Sequence, residues 1–100
     1  MAEKLRFRLL TPDGQVFSCL CDAVDLTAKD NAAGSGGGSL GVLHGHLPAV
    51  AALEEEGGVH CFTGGKTVFS CRVRGGFARI GREEVDVLTP EVREICRVEG

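Results

Sequence analysis

The chain has no tryptophan, no tyrosine, three prolines and one methionine, and its five aromatic residues are all phenylalanine. A base-stacking platform would therefore have to rest on phenylalanine alone. Basic charge is not in excess either. The net charge is −3, so the electrostatic footprint of a nucleic-acid binder is missing and no nucleic-acid partner is expected. No apolar run approaches the roughly 20 residues of a membrane span, so direct membrane insertion is not expected. The opening "MAEKLRFRLL" lacks the long apolar core and cleavage site of a signal peptide.

Cysteine is present, but not in a pattern that carries chemistry. The number, five, is odd, and no export signal accompanies it; a disulfide framework is therefore rejected in favour of reduced, mostly buried thiols. Cys19 and Cys21 share a face if they lie on a strand, whereas His60 and Cys61 point oppositely. The sequence "HGH" at His44-Gly45-His46 invites a metal, but no CxxC or HxxxH spacing supports one. No metal and no cofactor are expected. A thiol enzyme would need a base and an oxyanion partner, and neither is evident.

What the chain has in quantity is glycine, at 15 residues, set between short alternating runs. Leu5, Phe7 and Leu9 alternate with Arg6 and Arg8, as in a half-buried strand. "TPDG" (11–14) has the order of a type I turn. "QVFSCLCDAVDLTA" (15–28) reads as one long or bent strand with Val24 and Leu26 inward. "KDNAAGSGGGS" (29–39) is a flexible loop. "LGVLHGHLPAVAAL" is punctuated by Gly41, Gly45 and Pro48, which suits two short strands rather than a helix. "VHCF" and "KTVFSCRV" flank "TGG", a hairpin signal. "GGFARIG" and "EVDVL" give two more strands around a turn at 81–83. Glu54-Glu55-Glu56, beside two glycines, is expected to form a solvated turn. "TPEVREICRVEG" is equally compatible with a short helix and with a last strand.

Turn signals about ten residues apart predict an all-β chain: an antiparallel β-sandwich or flattened barrel of about ten strands with a short C-terminal tail. Leu5, Phe7, Leu9, Val24, Leu26, Val42, Val85 and Val87 take the inward positions. The sandwich domain is expected over residues 1–89 and the tail over 90–100. Two phosphate-binding motifs fail on context. Gly36-x-Gly38-x-x-Gly41 is followed by "VLHGHLP", which cannot open the helix a dinucleotide fold requires. "GGKT" (64–67) has His60 where a phosphate loop needs its first glycine, and it runs into a strand.

The ordered segments resemble the epsilon subunit of F-type ATP synthases, called delta in mitochondria. "LGVLHGHLPAVAAL" is similar to that family's L-G-[IV]-x-P-G-H-x-P-x-x-x-x-[LI]. "LRFRLLTPDGQVFSCLCDAVDLTA" resembles its opening strands, and "RGGFARIGREEVDVLT" its S-G-G-[FI] segment, so the likeness covers roughly residues 4–92. His44 stands where the family has proline, residues 78–81 carry no acidic side chain, and the loop at 32–38 is longer than usual. The family's C-terminal helical hairpin has no counterpart in these residues.

The resemblance implies a non-catalytic central-stalk rotor subunit that couples ion flow through the c-ring to the gamma subunit and ATP synthesis. It implies gamma and the c-ring as partners. It also implies a peripheral location on the cytoplasmic, matrix or stromal side of an energy-transducing membrane. The loop carrying Ser39, Leu40, Gly41, Gly45, His46 and Pro48 would face the c-ring, and a separate face would bind gamma. The alternative is a stand-alone β-sandwich module that binds a metal or a peptide.

Overall fold

A computed structural model describes residues 4–29 and 38–98. It contains ten strands, and no helix occurs among the described residues. They are β1 (Leu5–Thr11), β2 (Gly14–Cys21), β3 (Ala23–Ala28), β4 (Gly38–Leu43), β5 (Ala49–Ala52), β6 (Glu55–Thr63), β7 (Lys66–Arg74), β8 (Phe77–Ile80), β9 (Glu84–Leu88) and β10 (Val92–Arg97). Two five-stranded sheets face each other: β2-β1-β9-β8-β5 (sheet A) and β10-β7-β6-β3-β4 (sheet B). The expected sandwich is therefore the fold found.

Its pairing is antiparallel except between β1 and β9, which run parallel. Strand order could not be read from alternation, because alternation fixes a strand's faces but not its neighbours. The expected long strand over 15–28 is instead two strands in different sheets. The chain turns at Asp22, whose amide donates to the Phe62 carbonyl at 2.8 Å. Likewise "LGVLHGHLPAVAAL" supplies two strands, β4 and β5, that belong to opposite sheets. The tail takes its strand alternative: Val92 pairs with Val73 and Arg97 with Phe69. Glu54-Glu55-Glu56 is not a simple turn. Glu55 opens β6 opposite Arg74, and the register shifts between Glu55 and Gly57. The glycine-rich loop 32–38 lies outside the described residues except for Gly38.

The eight positions expected inside are all buried, none more than 1% exposed. Each sheet offers one apolar face, and closing the two faces together removes it from water. Three phenylalanines bridge the halves. Phe17 of β2 stacks on Phe69 of β7 with ring centroids 4.0 Å apart, and Phe7 of β1 sits 5.9 Å from Phe69. Where the chain passes from β7 to β8, only glycine fits at position 76. Its φ is +101°, and a Cβ there would lie 2.1 Å from the Leu88 carbonyl oxygen.

Candidate functional site

The six residues expected to face a partner do not form one loop. Ser39, Leu40 and Gly41 lie on β4, the edge strand of sheet B; Gly45, His46 and Pro48 lie in the link from β4 to β5. Leu40 is half-buried and packs on the core. Ser39 is exposed, and its hydroxyl donates to the Asp25 carboxylate at 3.0 Å. The link is tied to the β8–β9 turn and its own turn is closed by a hydrogen bond. The Gly45 amide donates to the Arg82 carbonyl at 2.6 Å, and the His46 amide to the Leu43 carbonyl at 3.1 Å. Gly45 has φ +89°, a conformation that costs an L side chain about 1–2 kcal/mol. His44 lies 4.0 Å from Glu83 in the β8–β9 turn. The link and that turn thus form one end of the sandwich. Leu43 and Leu47 stand out from it, 63% and 71% exposed.

A second surface is the outer face of sheet A. Leu10, Leu88, Phe77 and Ala52 align across β1, β9, β8 and β5 by cross-strand pairing. With Pro12 and Pro90 most of this row lines a shallow apolar groove. The next row holds Arg8, Asp86 and Arg79. Asp86 points out of the core yet is only 1% exposed, because Arg8 and Arg79 close over it. Hydrogen bonds from Arg8, then from Arg79, hold the Asp86 carboxyl below the usual carboxylate range against the opposing effect of burial.

A third cluster lies inside. Cys19 and Cys21 project inward from β2, opposite Phe7 and Leu5, and Cys61 projects inward from β6, opposite Val24 and Phe69. Their three sulfur atoms lie within 4.8 Å of one another. Cys21 and Cys61 are fully buried; Cys19 is half-buried. The shared hydrogen bond draws the Cys21 thiol down and holds Cys61 far above the ordinary thiol range. Burial pushes Cys19 up to about 11. Sequence spacing showed that Cys19 and Cys21 share a face. It could not show Cys61 meeting them, because that contact crosses from one sheet to the other. His44, His46 and His60 are not part of this group.

The ATP synthase delta/epsilon chain β-sandwich domain model matches residues 4–95. The chain belongs to this family. It is 33% identical to the ATP synthase epsilon chain of Frankia casuarinae over 84 residues, which cover 84% of this chain and 89% of that one. It is 27% identical over 99 residues to the epsilon chain of Syntrophobacter fumaroxidans, spanning 67% of its length. It is 32% identical over 91 residues to that of Paramagnetospirillum magneticum, spanning 62%. A chain of the Euglena gracilis mitochondrial ATP synthase shares the fold, with a TM-score of 0.68 and 24% identity over 89% of this chain and 52% of that one. Membership in the delta/epsilon family makes the chain a non-catalytic, structural component of an ATP synthase. No helix among the described residues is long and apolar enough to cross a membrane.

Proposed function

We propose that this chain serves in the central stalk as a torque-transmitting connector, with the Leu43–Pro48 end of the sandwich on the c-ring and the outer face of sheet A on gamma. It works from a peripheral position on the cytoplasmic, matrix or stromal side of the membrane. The observation that carries the reading is the pairing of exposure with restraint. Leu43, at the end of β4, and Leu47, in the link that follows, project into water beside the hydrogen bond that ties this link to the β8–β9 turn. Exposed apolar side chains that are grouped mark contact surfaces, and a contact that passes torque must not swing freely. Mechanical coupling through packed surfaces needs no covalent step. It accords with the lack of a base or oxyanion partner for the thiols in the sequence.

Crosslinking tests the placement. In a Cys96→Ser background only buried and half-buried native thiols remain. A cysteine placed at Leu47, 71% exposed in the link, should then crosslink to c subunits in the assembled synthase. Absence of such crosslinks, with gamma crosslinks from sheet A intact, would overturn the c-ring assignment. Gly45→Val should reduce ATP-driven proton pumping by more than its effect on stability predicts.

A further inference from the structure

We propose that Cys19, Cys21 and Cys61 form a three-thiolate site for one soft, d10 monovalent cation, with copper(I) as its natural occupant. This goes beyond the stalk role and does not depend on it.

The geometry is close to what such an ion needs. The three sulfur atoms already lie within 4.8 Å of one another. A planar three-sulfur site with metal–sulfur bonds of about 2.3 Å requires sulfur atoms about 4.0 Å apart. Shifts of a few tenths of an ångström per side chain, within rotamer freedom, would close the site. The ligands arrive on strands of opposite sheets, β2 and β6, so their backbones are held by ladder hydrogen bonds.

The donor set selects the metal. All three atoms of the group are sulfur, and soft thiolates favour copper(I) over hard cations. A structural zinc site is tetrahedral and would need a fourth ligand, which this group does not contain. Copper(I) has no such demand. The surroundings suit an ion that must be kept from water. Cys21 and Cys61 belong to the apolar core with Leu5, Phe7, Val24 and Phe69.

Access comes from one side. Cys19 lines a surface groove with Phe17, Leu20, Thr63, Val68 and Arg97. The Arg97 guanidinium lies over the Phe17 ring at 5.1 Å, at the mouth of the path. Its positive charge offsets part of the negative charge that a thiolate site carries. Each sulfur–copper bond formed releases one thiol proton to solvent, and copper stays in the +1 state throughout. Because the ion would tie sheet A to sheet B, loading should stabilise the fold by linkage.

The test uses the full chain, reduced and free of oxygen, titrated with copper(I) held by a colorimetric chelator. The expected result is transfer of one copper per chain, a near-ultraviolet thiolate-to-copper absorption band, and a higher unfolding temperature. Cys96→Ser should behave like the parent, because Cys96 is exposed and apart from the cluster. Loss of an outer-sphere partner alone costs 10–100-fold in affinity, so Cys19→Ser and Cys61→Ser should each weaken binding by about tenfold or more. If Cys61→Ser fails to fold without metal, Cys19→Ser at the rim decides. No transfer from the chelator, transfer indifferent to Cys19→Ser, or loss on Cys96→Ser would each overturn the proposal.

Discussion

The Arg8 guanidinium grips the Asp86 carboxylate with two bonds, Nε to Oδ1 and Nη2 to Oδ2, each 2.8 Å long. The two residues are register partners across the parallel β1–β9 pair, the join between the two ends of the sequence in sheet A. Arg79 donates to Oδ2 from the other side at 2.8 Å.

This arrangement sets an acid dependence. The folded Asp86 carboxyl titrates below its unfolded value of about 3.9, so the unfolded chain binds more protons in the window beneath that value. The stabilisation is complete above about pH 4 and is lost as pH falls through the folded value. Asp86→Asn should cost about 1–3 kcal/mol near neutrality, since it removes charge-assisted hydrogen bonds from a buried group. Its loss of stability in acid should also be shallower than the parent's. Arg79→Ala should cost within about 1 kcal/mol, because Arg79 is 67% exposed. Urea unfolding at pH 7 and pH 3 measures both, and identical acid slopes for parent and Asp86→Asn would contradict the assignment.

Gly76→Ala should destabilise by about 3 kcal/mol or more, by combining a left-handed backbone with overlap against a carbonyl. Gly45→Ala should cost only about 1 kcal/mol, since a Cβ there meets nothing within 4 Å and only the backbone term remains. Denaturant midpoints of the two variants give the ranking. The reverse order would refute the packing described at the β7–β8 passage.

Phe77→Lys and Leu88→Lys probe the proposed gamma surface. Both side chains are well exposed, at 57% and 41%, so stability should change by about 0.5 kcal/mol or less. Affinity for isolated gamma should fall about tenfold or more, as expected for central apolar anchors. Calorimetry with purified gamma supplies the number, and unchanged affinity in both variants would remove this face from consideration.

Deletion of residues 91–100 should loosen the fold without releasing any ATPase. β10 is hydrogen-bonded to β7, so Val92–Arg97 is held as a strand of sheet B. Removing it strips the half-buried Val92 from the core rim and the Arg97–Phe17 contact, at about 1–2 kcal/mol. Hydrolysis by a reconstituted ATPase core should be equal with the parent and the truncated chain. Strong inhibition by the parent that disappears on truncation would overturn this.

The faces of the strands were legible because alternation is a local property. Leu5, Phe7 and Leu9 announce an inward face without reference to anything else in the chain. The partnership of Arg8 with Asp86 was not legible. Seventy-eight positions separate them, and no local pattern says that β9 runs parallel beside β1. The same limit hid the meeting of Cys61 with Cys19 and Cys21. In "QVFSCLCDAVDLTA" the inward positions are odd-numbered through Cys21 and even-numbered from Val24, and that one-residue phase shift is the local trace of the change of sheet at Asp22. No glycine or proline marks that corner; it is set instead by the Asp22 amide bonding Phe62. Of the candidate contact surface, the glycine punctuation revealed a turn around Gly45. Its tether to Arg82 and the outward stance of Leu47 required the fold.

The parallel β1–β9 pair also sets the order in which the domain can be made. β1 has β2 as a neighbour at once, but its other edge waits for residues 84–88. During synthesis, the residues up to Leu88 must leave the ribosome before sheet A can close. Until then the apolar faces of β1 and β2 have no complete partner, and long-range pairing of this kind is slow to form and prone to association. The sandwich is thus completed in one late step, and a nascent chain halted before Glu84 is the form most in need of a chaperone.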